Sequence, residues 1–174
     1  MTVKRILTEP NKLLRQISKS VDKVGKNEQK LMDDMVETMY AENGIGLAAI
    51  QIGFPKRIIV MDISKDQTNK NPMYFVNPII LNKATEQSTY EEGCLSVPDQ
   101  FAEIDRPNKC EIEYLDYNGK KKLLKADGLL ATCIQHEIDH LEGILFIDYL
   151  SKLKKSMIIK KLSKQKNKSD RIVV

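Results

Sequence analysis

The sequence predicts a mixed α and β fold in one domain. Three observations point to it. Apolar residues recur at helical spacing in 27–41, 127–141 and 152–168, β-branched and alternating runs fill much of 57–125, and Asn118-Gly119 is a strong two-residue hairpin signal. At 174 residues the chain is long enough for one real core and has the usual size of a single domain.

Taken in order, Glu9-Pro10-Asn11-Lys12-Leu13-Leu14 reads as a turn entering a short helix. The next helix carries Leu31, Met35, Val36 and Met39 as a core-facing stripe, with Asp33, Asp34 and Glu37 facing away. Gly44-Ile45-Gly46-Leu47-Ala48-Ala49-Ile50-Gln51 is a slim segment that suits either a close approach by another backbone or a tight buried turn. It is a poor dinucleotide loop, because the third glycine is missing and a helix, not a strand, precedes it. Arg57 to Asp62 reads as a buried strand, and Ser64 to Asn71 as a polar loop. Tyr74 to Val76 and Ile79 to Leu81 are strand-like, interrupted by Asn77-Pro78. Lys109 to Tyr117 places Cys110, Ile112 and Tyr114 on one side and Glu111 and Glu113 on the other, and Lys121 to Lys125 returns after the hairpin. The last internal helix has Asp127 as its N-cap, Leu130, Ile134, Ile138 and Leu141 at helical spacing, and Gly143 for its C-terminal cap.

Composition narrows the function classes. Hydrophobic residues are 41% and charged residues 30%, ordinary for a soluble globular protein. No apolar run reaches the ~20 residues of a membrane helix, and Met1-Thr2-Val3-Lys4-Arg5 leads into no signal-peptide core, so a cytoplasmic protein is expected. Three cysteines, Cys94, Cys110 and Cys133, make an odd count that argues against a disulfide framework. The net charge of +4 divides into +8 over 151–174 and −4 over 1–150. That division suits an enzyme body with a cationic appendage better than a sequence-reading nucleic-acid fold.

The candidate chemistry begins at Gln135-His136-Glu137-Ile138-Asp139-His140, which holds both histidines of the chain. On a helix, positions four apart lie one turn apart on one face, so both imidazoles can reach one divalent cation and Glu137 can handle a water proton beside it. Cys94, in Glu91-Glu92-Gly93-Cys94-Leu95-Ser96-Val97-Pro98, is a buried thiol or the missing third ligand; three ligands with an open fourth position define a catalytic site. Gln51 could offer its amide N–H groups to a developing oxyanion.

Gly44 to Gln51, Glu92-Gly93-Cys94-Leu95-Ser96 and His136-Glu137-Ile138-Asp139-His140 together resemble the three signature motifs of the peptide deformylases, in family order and with compatible spacing over nearly the whole chain. The resemblance implies an α+β fold, with antiparallel sheets surrounding the metal-binding helix and a C-terminal helix after it. It implies removal of the N-formyl group from the initiator methionine of new polypeptides, by attack of a metal-bound hydroxide on the formyl carbon. Cys94, His136 and His140 would be the ligands of one divalent metal, natively Fe2+, with Zn2+, Ni2+ or Co2+ able to substitute. Glu137 would accept the water proton and pass it to the departing amine; Gln51 and the backbone N–H of Leu95 would hold the oxyanion with the metal.

The same resemblance lays the peptide as a strand beside Ile45 and Gly46, in a site narrowed by Gly44, Gly46 and Cys94. It lines the methionine pocket with Tyr90, Gly93, Leu129, Thr132, Cys133 and His136. Glu92 and Arg106 match a family pair that braces the Cys94 loop, Asp139 is expected to bond nearby backbone, and Phe101 stands where some relatives carry arginine. The implied layout is a catalytic domain over 1–150 and a basic helix and tail over 151–174.

Leu153, Met157, Ile158 and Leu162 fall at helical spacing among lysines. That tail is either a solvated helix or an electrostatic dock for ribosomal RNA near emerging nascent chains, the partners this reading implies; no membrane and no sequence-specific nucleic acid are expected. Two other readings of the whole chain remain open: a small HExxH metallopeptidase, and a non-catalytic RNA-binding or metal-storage protein. Glu137 and Gln51 count against the second, since neither is needed merely to hold a metal.

Overall fold

The computed structural model describes residues 2–64 and 68–169, with side chains to residue 165. The expected loop over 64–71 therefore lies partly outside the described residues, as does the end of the tail.

Strand β2 (Ile58–Met61) is the centre of the frame and is buried along its whole length. Its side chains alternate between two apolar layers. Ile59 and Met61 meet Phe75, Ile112, Ala126 and the helix residues Ala131, Ile134, Ile138 and Leu141. Ile58 and Val60 meet Val76, Leu47 and the helix residues Leu31, Met32, Met35 and Met39. A period of two makes both layers possible from one strand. Full burial of such a side chain is worth about 1.5–3 kcal/mol.

The sheet around β2 is antiparallel, in the order β1 (Gly46–Ala48), β2, β3 (Met73–Lys83), β6 (Lys109–Leu115), β7 (Lys121–Asp127). Helix α1 (Lys26–Ala41) covers one face and α2 (Gly128–Leu141) the other. A separate hairpin, β4 (Gln87–Cys94) with β5 (Val97–Pro107), also packs on α2. Antiparallel strands thus surround the histidine helix, as expected. Val97 and Ile104 of the hairpin share a third apolar cluster with Leu145, Phe146, Ile147 and Leu162, the last from the C-terminal helix α3 (Lys152–Ser169).

Several local expectations need correction. Asp34 does not face solvent: it is buried and accepts from the Thr2 N–H at 2.8 Å, with the ammonium groups of Lys4 and Lys30 at 3.3 and 3.2 Å. Asn77-Pro78 does not break the strand, because β3 continues through a bulge there. The Asn77 side chain bonds both backbone groups of Val21 at 2.8 Å, satisfying that loop's backbone and tying it to the bulge. The hairpin loop is not centred on Asn118-Gly119. A turn closes from the Gly119 N–H to the Asp116 carbonyl at 2.9 Å, and Gly119 follows with φ +78°, the arrangement of a type I turn with a glycine bulge. The β4–β5 hairpin was not foreseen as strands at all.

Helix α2 ends as its sequence predicts. Ile144 N–H bonds the Asp139 carbonyl at 2.9 Å and Gly143 N–H the His140 carbonyl at 3.2 Å, with Gly143 at φ +72°. Asp127 sits at the other cap position, but its side chain makes no cap bond. A bond from Gln135 Nε2 to the Pro107 carbonyl at 2.8 Å instead ties the helix to the end of β5. In α3, Ile158, Ile159 and Leu162 pack, whereas Leu153 and Met157 are exposed, so the apolar stripe lies rotated from the expected one.

Candidate metal centre

Helical spacing on α2 and the end of β4 bring together the three expected donors. Cys94 Sγ and one nitrogen from each of His136 and His140 all lie within 4.8 Å of one another, and Sγ is 3.3 Å from His140 Nε2. Glu92 Oε2 bonds His136 Nδ1 at 2.8 Å, which leaves Nε2 as that ring's free donor. Burial, reinforced by the positive charges of Arg106 and Arg15, holds His140 well below the usual imidazole range, and so neutral. One sulfur and two ring nitrogens at this separation form a donor set suited to a divalent metal.

Glu137 leans over the same space. It is buried, its Oε2 has no hydrogen-bond partner among the described residues, and burial pushes its carboxyl up to about 7. A Cβ on residue 46 would lie 2.4 Å from Glu137 Oε1, so Gly46 leaves that carboxylate its room. The slim segment therefore admits a side chain, and its other half is the tight buried turn Ala49–Ile52.

Gln51 projects from that turn. Its Oε1 accepts from the Ala48 N–H at 2.8 Å, and its Nε2 reaches Ser96 Oγ at 3.1 Å and Cys94 Sγ at 3.6 Å. Leu95 follows Cys94 in the β4–β5 turn.

A cleft of about 550 Å³ opens beside these groups, lined among others by Gly44, Ile45, Gly46, Gln51, Tyr90 and Gly93. Its lining also includes Cys94, Leu95, Phe101, Leu129, Thr132, Cys133, His136 and Glu137. The structure thus gathers every foreseen pocket residue; His140 lies behind them, almost wholly buried. Burial, with the nearby Glu137 and Glu92 charges, pushes the Cys133 thiol well above its usual range, which fits a pocket wall rather than a ligand. Phe101 is 66% exposed at the mouth. Strand β1 pairs with β2 on one side only among the described residues, leaving its cleft-side edge for another strand.

Glu92 and Arg106, expected as a bracing pair, are both buried, at 6% and 3% exposure, and one expectation about their surroundings changes. Arg106 binds Glu92 through Nε at 2.5 Å and its second terminal nitrogen at 3.0 Å. Asp139 bonds side chains rather than backbone: Arg106 and the Tyr149 hydroxyl, each at 2.8 Å. Tyr149 was missed because a lone tyrosine in a short 3₁₀ turn gives no periodic signal.

A helix presenting His-Glu-x-x-His to a cysteine sulfur, inside a frame of antiparallel strands, is the arrangement of a metal-dependent hydrolase. The polypeptide deformylase family matches residues 3–156. The peptide deformylase of Pelagibacter ubique is 78% identical over 174 residues, covering both chains completely. The crystal structure of the Ehrlichia chaffeensis peptide deformylase superposes with a TM-score of 0.91 at 43% identity, covering 97% of this chain and 99% of that one. Its complex with actinonin gives 0.89 at 46%, covering 95% and 98%. The chain belongs to the peptide deformylase family.

Proposed function

We propose that this protein removes the N-formyl group from the initiator methionine of newly made polypeptides, with Cys94, His136 and His140 holding one divalent metal. The observation that carries this reading is the meeting of one sulfur and two imidazole nitrogens within 4.8 Å, beside a buried glutamate and an open cleft. A divalent ion there supplies Lewis acidity, easing both the ionisation of water and charge growth on a carbonyl oxygen.

The chain's own residues do the rest. Glu137, its carboxyl raised to about 7 by burial, can take a proton near neutral pH and return it to the departing amine nitrogen. Gln51 Nε2 and the Leu95 N–H are the donors for the oxyanion, each worth ~3 kcal/mol of barrier by analogy with such sites. Gly44 and Gly46 leave the room beside Leu95 and Glu137 small, suited to a carbonyl carbon bearing only hydrogen. The peptide runs along the free edge of β1 at Ile45 and Gly46, through backbone hydrogen bonds that tolerate varied sequences. Its methionine side chain enters between Tyr90, Gly93, Leu129, Thr132, Cys133 and His136.

Fe2+ is the proposed native ion, and the donor set also suits Zn2+, Ni2+ or Co2+. Metal analysis of protein purified without oxygen tests this, because a thiolate-bound ferrous centre oxidises readily. Residues 1–150 carry the chemistry in this reading, and 151–174 form a basic appendage offered to the ribosome. Work on nascent chains places the protein in the cytoplasm; no helix among the described residues is long and apolar enough to cross a membrane.

The deciding experiment incubates pure protein with a formyl-Met peptide and an acetyl-Met peptide. Formate from the first alone is the expected result. Internal peptide cleavage would instead support the metallopeptidase reading, and no product from either would support the non-catalytic one.

A further inference from the structure

Asp139 lies on α2 between the two histidines, yet its carboxylate turns away from them. It accepts from the Tyr149 hydroxyl and from one terminal nitrogen of Arg106, each at 2.8 Å. Arg106 turns its other two nitrogens to Glu92, whose Oε2 in turn faces His136 Nδ1 at 2.8 Å. The Arg106 guanidinium also lies 4.8 Å from the Tyr149 ring centroid. An unbroken chain of contacts therefore runs Tyr149–Asp139–Arg106–Glu92–His136. It joins the 3₁₀ turn Phe146–Tyr149, α2, β5 and β4 before ending on an imidazole of the candidate metal centre.

The charges along this chain have a direction. One guanidinium sits between two carboxylates, so Glu92 shares its cation with Asp139 and keeps acceptor strength for the His136 N–H. A carboxylate on that N–H fixes the ring's rotation and makes its other nitrogen a better ligand. Tyr149 donates to Asp139 and covers one face of the guanidinium, which fixes Arg106 from outside. Tyr149 is 51% exposed whereas Arg106 is 3% exposed, so the outermost link can be altered without opening a buried cavity.

We propose that Tyr149 and Asp139 are positioning residues for His136, acting through Arg106 and Glu92 to set the ring that faces Cys94 and His140. The proposal rests on the reading of Cys94, His136 and His140 as a metal centre. The competing account is that the cluster merely staples the β4–β5 hairpin to α2. A staple predicts lost stability and nothing more.

The test uses the full chain loaded with Co2+, comparing wild type with Tyr149→Phe, Asp139→Asn and the double variant. Asp34→Asn serves as control, since it breaks the ion pairs of a buried α1 carboxylate with Lys4 and Lys30, outside this chain of contacts. Chelator competition gives Co2+ affinity, visible absorption reports the ligand field, and formyl-Met peptide kinetics give kcat and KM separately. Expected are a loss of Co2+ affinity of about threefold for Tyr149→Phe and about tenfold for Asp139→Asn, altered absorption bands, and a matching fall in kcat at constant KM. The double variant should be no worse than Asp139→Asn, because both act along one path. Asp34→Asn should lower Tm while leaving affinity and spectrum unchanged. Wild-type affinity and spectrum in Tyr149→Phe and Asp139→Asn, or equal changes in Asp34→Asn, would overturn the proposal while leaving the deformylase reading intact. A wild-type protein that neither retains Co2+ nor releases formate would overturn both.

Discussion

At the scale of single residues, the proposed chemistry divides between one proton carrier and two donors. Glu137 is buried with its carboxyl raised to about 7, so neutral pH finds it able both to accept and to release a proton. Glu137→Gln keeps size and shape and removes that capacity. Formate release should fall by about 10²–10⁴-fold, with metal content and the circular dichroism spectrum unchanged; a variant with wild-type kcat would remove Glu137 from the mechanism. Gln51 is fixed by its own backbone, through the bond from Ala48 N–H to Oε1, and its Nε2 already leans toward Cys94 Sγ. Gln51→Ala should therefore lower kcat by roughly a hundredfold with little change in KM, the signature of a contact made mainly in the transition state. A rise in KM alone would show that the amide binds ground-state substrate instead.

At the scale of elements, what the sequence made legible was what a period or a donor type encodes. The α1 and α2 stripes, the buried β2 and the helical pair His136/His140 follow from spacing alone, whereas Tyr90, Leu129, Thr132 and Cys133, outside the three motifs, were implied only by the family resemblance and are found lining the cleft. The β4–β5 hairpin was not legible, because Gln87 to Cys94 has one β-branched residue, Thr89, among polar residues and a glycine, and no apolar alternation. Asp34 was misplaced for a related reason: a carboxylate on a helix reads as solvated until an N-terminal segment and two lysines are folded onto it. Asp62, at the end of β2, is another such carboxylate. Burial works to raise its pKa, but donors from Ser64, Tyr40 and Asn71 outweigh that and hold it at about 2, below the ordinary 3.8. A depressed folded-state value contributes stability that is present above pH 3.8 and is lost as pH falls toward 2. Asp62→Asn should cost on the order of 2 kcal/mol at pH 7 and flatten the acid limb of a denaturation series between about pH 4 and pH 2. An acid limb with unchanged slope would assign the loss to other carboxylates.

At the scale of the whole molecule, the net charge changes sign between the body over 1–150, at −4, and the segment 151–174, at +8. The two parts are nonetheless packed together. Lys155 pairs with Asp148 at 2.5 Å, and Leu162 is buried against the cluster containing Val97 and Ile104 of β5. Lys160, Lys161 and Lys164 remain exposed, so α3 is held on the body by its apolar side while offering ammonium groups outward. In the proposed docking on the ribosome the partner is ribosomal RNA, and binding to it would be driven by release of condensed counterions as phosphates are neutralised. Leu162 marks where the helix can be cut without uncovering the core. Deletion from Ser163 onward removes Lys164, Lys166, Lys168 and Arg171 against Asp170, a net change of −3. Loss of a few phosphate contacts should weaken ribosome binding by about tenfold at ~0.1 M salt and flatten its salt dependence, while kcat/KM on a free formyl-Met peptide stays at the wild-type value. Cosedimentation with ribosomes across a salt series measures both quantities. Equal binding and equal slope in the shortened protein would remove the segment from Ser163 onward from ribosome binding and leave Lys160 and Lys161 as the cations of α3 still to be tested.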